Sequence, residues 1–189
     1  MAYLFIGGVV CLIINQSMVF SFVERIGVER GFAGERLQIV LVVLGFINLL
    51  PGALAAILQN RLSPFAVGIA GLSLQAVLAL ILTNGLGFPA FAGPVLFFSA
   101  IVLFTHTFLF GALSQVDPSG RSAAATPAMM MAGAAIGPVL GGGLVATLSF
   151  GGIGWATLAL SAIGVTLMFV ARGISTTKAL ALDASQNHR

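Results

Sequence analysis

Charge is what this sequence has least of. Lys, Arg, Asp and Glu make up 7% of its 189 residues, against roughly a quarter in ordinary soluble domains. The eight basic residues exceed the five acidic ones, for a net charge of +3. They are scattered, which excludes the basic stripe that binds nucleic acid. Cysteine occurs once, as Cys11 within an apolar run, so neither a disulfide framework nor a thiolate metal site can form within one chain. Of the two histidines, His106 falls in an apolar segment and His188 in the tail. That leaves no pair for haem or a metal ion, and no metal or cofactor is expected. No Gly-x-x-x-x-Gly-Lys loop is present, which argues against ATP hydrolysis within the chain. A Gly-x-Ser-x-Gly nucleophile elbow is also absent. Ser99 and His106, the nearest approach to a nucleophile and its base, lie about 10 Å apart along one helix, too far for direct activation. The chain is not expected to be an enzyme.

What the sequence has in abundance is apolar length. Hydrophobic residues make up 59% and the mean hydropathy is +1.11, more than a soluble domain of this size can bury. The apolar residues fall into six long blocks, and about 20 such residues cross the hydrocarbon layer as a helix. The fold class expected is therefore all-α: a polytopic six-helix transmembrane bundle whose solvent is the lipid bilayer. The helices are expected at about 2–23, 37–58, 65–83, 94–116, 123–148 and 153–171. The start, MAYLFIGGVV, has no basic leader and no clear cleavage signal, so it reads as the first span. The charged stretch Glu24–Arg36 reads as a loop, and NGLGFPAFAG (84–93) as a short turn-rich one. Residues 1–172 form the membrane domain and 173–189 a polar, loose cytoplasmic tail.

Six spans put both ends on one side. Arg61, Arg121, Arg172, Lys178 and Arg189 fall on that side, and Arg25, Arg30 and Arg36 on the other. The excess of basic residues makes the side of the termini cytoplasmic, in a bacterial inner (plasma) membrane.

The few polar residues inside the spans carry the functional reading. Asn15, Gln16, Asn48, Ser99 and His106 are costly facing lipid, so each should point into the bundle or a wet cavity. They are the candidate substrate-pathway residues. His106 suits proton binding and release near neutral pH; its competing role is a neutral ring bonded to a nearby carbonyl or threonine. Glu24, at the outer end of the first span, is the second proton-coupling candidate, against plain solvation beside Arg25. Met129, Met130 and Met131 point in three directions and read as packing.

The fifth block holds the sharpest motif, Gly133-Ala-Ala-Ile-Gly137-Pro138-Val-Leu-Gly141-Gly142-Gly143. Glycines four apart lie on one helix face and admit a neighbouring backbone. Pro138 cannot donate to the carbonyl of Ala134, so the helix can bend there. Gly133, Gly137, Pro138, Gly141 and Gly142 are thus the packing and hinge candidates. This pattern resembles the antiporter motif of the major facilitator superfamily. The preceding Asp117-Pro-Ser-Gly120-Arg121 is similar to that family's short cytoplasmic Asp-x-x-Gly-Arg turn. The link Gln59-Asn60-Arg61-Leu62-Ser63-Pro64 keeps only the arginine of its fuller Gly-x-x-x-Asp-Arg pattern. The resemblance covers about residues 1–172 and matches the C-terminal six-helix half of such a transporter.

The resemblance implies secondary active transport of a small solute by alternating access, with proton-coupled efflux. It makes the first and fourth helices cavity-lining and the second and fifth their flanks. The family normally has two six-helix halves with the solute between them near the midplane, and this chain holds one. The expected partners are the bilayer, a small-molecule substrate, and either an N-terminal six-helix half or a second copy in a homodimer. The alternatives are a fragment, or a non-transporting membrane scaffold or assembly partner.

Overall fold

The computed structural model describes residues 2–116, 120 and 124–186, with side chains described as far as Thr177. Among these residues all regular structure is helical, and six helical stretches are long and apolar enough to cross a membrane. The first stretch is α1 (Ala2–Phe20) followed by α2 (Val23–Glu29), and the second is α3 (Gly34–Ile47) followed by α4 (Leu50–Leu58). The remainder are α5 (Pro64–Asn84), α6 (Gly87–Val116), α7 (Thr126–Leu148) and α8 (Gly151–Gln186).

The helices reach further than the composition suggests, and each extension has a local cause. The charged stretch expected to be a loop over Glu24–Arg36 is non-helical only over residues 30–33. Here Gly31, at φ +75°, donates its N–H to the Val28 carbonyl at 2.9 Å, and Phe32 donates to the Gly27 carbonyl at 3.1 Å. This pair of bonds is a Schellman closure, whose left-handed residue is normally glycine. Phe32 then packs edge-on against Phe88 and tilted against Phe91, with ring centroids 5.3 and 5.5 Å away. The segment 84–93 is helical from Gly87 onward. Its Pro89 falls in the first turn of α6, where a missing N–H costs no helical bond. The tail after Arg172 continues α8, with the Thr176 and Thr177 hydroxyls donating back to the Arg172 and Gly173 carbonyls. The Lys-Ala-Leu-Ala-Leu run beyond them consists of strong helix formers.

The second span is bent. Pro51 has no N–H, so the Ile47 carbonyl lacks its helical donor, and the helix opens at Asn48 and Leu49 before α4 begins. Asn48 thereby sits on the kink, deep between the two ends of the span.

α1 is the centre of the bundle, packing against α6, α7 and α8. α5 and α8 form the most extensive pair, and α6 packs against α5 and against both parts of the second span, α3 and α4. The core has Phe5, Leu12, Met18, Leu72, Phe98, Leu109, Ile153 and Met168 fully enclosed. The bent span and α7 are the least buried, one on each flank.

One backbone position is strained. Ser149, between α7 and α8, adopts φ 59° and ψ −172°, a region that belongs to glycine and costs other residues about 1–3 kcal/mol. Ser149→Gly is expected to raise stability by about 1 kcal/mol after glycine's greater unfolded-state freedom is deducted. The readout is the thermal midpoint in detergent; an unchanged or lower midpoint would show that the serine side chain offsets its backbone cost.

Candidate functional site

Three consecutive residues of α1 reach into the whole bundle. Successive helical residues are about 100° apart, so Asn15, Gln16 and Ser17 point in three directions.

Asn15 faces α5 and α8. Its amide Nδ2 donates to Gln75 Oε1 at 3.0 Å and to Ser161 Oγ at 3.0 Å. Gln75 Nε2 closes the loop by donating to the Leu12 carbonyl of α1 at 3.1 Å. Asn15 and Gln75 are completely enclosed and Ser161 is buried. Asn15 Oδ1 and the nearby α8 hydroxyl, Thr157 Oγ1, are buried without a partner among the described residues. This cluster is a latch tying three helices together, and nothing about it is accessible to a solute.

Gln16 faces α6 and the kink. Its Nε2 donates to Ser99 Oγ at 3.1 Å, and Asn48 Nδ2 donates to the same oxygen at 3.3 Å. Both Ser99 lone pairs are therefore engaged, and its hydroxyl proton remains as a donor. Gln16 Oε1 and Asn48 Oδ1 are enclosed acceptors with no partner among the described residues. The cluster offers one donor and two acceptors, and no side chain in it titrates near neutral pH. A recess of about 240 Å³ lies further along the α4–α6 seam, lined by Gly52, Gln59, Asn60, Thr107, Gly111 and Gln115 among others. Thr107 is eight residues beyond Ser99, about 12 Å along α6, and Gly52 is four beyond Asn48, about 6 Å along the second span. Asn48, Ser99, Gln59, Asn60, Thr107 and Gln115 thus follow one seam.

Ser17 faces α7. Its hydroxyl lies 2.8 Å from the Gly133 carbonyl, as well as 3.0 Å from the Ile13 carbonyl of its own helix. Gly133, Gly137 and Gly141 are all buried along this contact. A side chain at Gly133 would meet Ile13, and one at Gly141 would meet Phe22 and Met18. Gly142 is at the margin, where an added Cβ would lie 4.0 Å from the Phe22 ring, and Pro138 is half-buried within the helix.

The five expected pathway residues thus separate. Gln16, Asn48 and Ser99 converge, while Asn15 turns away into the latch. His106 stands apart: its Nδ1 is 2.9 Å from the Val102 carbonyl one turn back, and its ring meets Phe110 edge-on at 5.1 Å. Glu24 is exposed at the start of α2. Of the expected cytoplasmic turn, Gly120 takes the left-handed conformation at φ 73°, and Asp117 and Arg121 lie outside the described residues. Gln75, Ser161 and Ser17 are the working residues that pattern reading passes over. Gln75 had a signal, being an amide at the middle of a mostly apolar helix; Ser161 and Ser17 had none, because isolated serines are common in membrane helices.

No protein-family model, curated protein or solved structure matches this chain.

Proposed function

We propose that this chain is one six-helix half of a secondary transporter, similar in plan to the C-terminal half of a major facilitator protein. It moves a small solute by alternating access, with efflux coupled to proton entry. A second six-helix unit, either a companion half or another copy, supplies the opposite wall. The observation that carries this reading is the convergence of Gln16, Asn48 and Ser99 from three spans onto one oxygen. A cluster with one hydroxyl donor and two amide acceptors suits a neutral polar group on the solute better than a charged one. The α4 kink beside it and the glycine-lined α1–α7 contact are the elements that move. His106 carries the proton, since it is the one side chain within the spans whose ordinary pKa is near neutrality. Both termini are cytoplasmic, in a bacterial inner membrane, on the strength of the basic-residue excess.

The test is solute exchange in proteoliposomes holding the chain in its native assembly, using a panel of radiolabelled neutral solutes against a proton gradient. Ser99→Ala removes the shared acceptor and is expected to weaken apparent solute affinity about tenfold, the worth of one or two neutral hydrogen bonds. His106→Gln should preserve assembly and abolish the pH dependence of transport. If the intact assembly moves no solute, the scaffold reading replaces this one. Uptake by a monomer would remove the need for a second wall.

A further inference from the structure

On the side of α4 away from the polar seam, a cavity of about 570 Å³ opens between α4, α5 and α6. Its volume is within the ~300–1,000 Å³ of small-molecule sites. Thr105 is the sole polar side chain among the residues lining it. Small residues face the gap, Ala66 and Ala70 from α5 and Ala100 from α6, while Gly71 closes its floor against Thr105 of α6. The rim is open sideways, since Leu54, Leu62, Leu74 and Phe97 are both lining and exposed.

Its length and its charge identify an occupant. Along α5 the lining runs from Ala66, next to the α4–α5 turn, to Leu74 at the middle of the span. Eight residues of helix are about 12 Å, close to the ~15 Å depth of one leaflet's hydrocarbon. On α5 the cavity therefore runs from near the end of the span to its middle, the depth a single acyl chain reaches, while α6 lines its inner part with Phe97–Thr105. At its outer end Leu62 lines the mouth, and the neighbouring Arg61 is exposed. Arg61 is the only charged residue of the turn 59–63. We infer that this crevice is a binding site for one anionic phospholipid, with an acyl chain between α4, α5 and α6 and the headgroup phosphate at Arg61. The site is separate from the polar cluster and does not depend on the chain being a transporter.

The experiment is native mass spectrometry of the purified protein in detergent, titrated with phosphatidylglycerol or phosphatidylcholine bearing the same acyl chains. The expected result is one phosphatidylglycerol retained per chain, preferred about fivefold, the contribution of one basic residue near a membrane surface. Arg61→Gln should remove that preference without emptying the site. Ala70→Phe should fill the crevice and weaken retention of both lipids by about tenfold or more. Ala66→Phe, one turn nearer the mouth, repeats the test at a second position. Ala135→Phe, on the exposed face of α7, should change nothing. Equal retention of the two lipids by the wild-type protein would overturn the role of Arg61. Undiminished retention in both filled variants would show that the lipid is bulk annulus and not a bound ligand.

Discussion

Gly137→Leu is expected to eliminate most of the correctly assembled protein, while Ala132→Leu leaves it intact. Even the first carbon of a side chain at Gly137 would collide with Ser17 Oγ, and would lie 2.6 Å from the Met18 amide nitrogen and 2.8 Å from the Ile14 carbonyl oxygen. Two of those three neighbours are backbone, so the strain cannot be relieved by a rotamer change. α7 would have to withdraw along the length of α1, breaking the contact between Ser17 and Gly133 and opening the approaches at Gly133 and Gly141. Overpacking alone costs about 1–3 kcal/mol where neighbours can yield, and these cannot. In lipid no hydrophobic force restores the contact, because close packing is itself a main source of helix association. Ala132 is exposed, so leucine there adds only surface. The measurement is the monodisperse fraction on size exclusion, with the thermal midpoint of what remains. Gly137→Ala should fall between the two. Equal yields and midpoints for the Gly137 and Ala132 leucine variants would remove α7 from its position against α1.

The second large effect is expected at Gln75. Gln75→Ala deletes the acceptor of Asn15 and the donor to the Leu12 carbonyl, and it leaves a void at a completely enclosed position. The cavity and the stranded polar groups together should cost about 2–4 kcal/mol. Gln75→Leu refills the volume and should recover more than half of that loss, since an interhelical hydrogen bond within a membrane is worth only about 0.6 kcal/mol on average. Unfolding by detergent titration, followed by helical circular dichroism, gives both values. The latch role would be wrong if alanine and leucine were equally mild, or if either variant altered solute selectivity without changing stability.

The sequence announces the spans and conceals the partners. Each apolar block is visible because lipid demands about 20 consecutive apolar residues, and the helices are observed where those blocks lie. The extensions were also partly legible: Gly31 followed by Phe32 has the composition of a Schellman closure, and Pro89 and Pro51 mark a helix start and a kink. The glycine face of α7 could be anticipated from its four-residue spacing. The convergence of Gln16, Asn48 and Ser99 was legible only as a demand that each point inward. Asn15 carries the same demand, yet the rotation of α1 sends it to α5 and α8 instead. Residue type fixes the cost of facing lipid; only the rotation of each helix decides which neighbour meets that cost.

That rotation has to be specified by something. Leu, Ile and Val make no directional bonds, so beyond its close fit to the glycine face of α7 an apolar helix in lipid has little reason to prefer one azimuth. Asn15, Gln16 and Ser17 supply the reason. Turned by one residue's worth of angle, the amide meant for Gln75 would be presented toward α6 or α7, and all three side chains would forfeit their partners together. A single tripeptide therefore serves as a key for the bundle: it favours one angular setting of α1, and through α1 it indexes the four spans it bonds, α5, α6, α7 and α8.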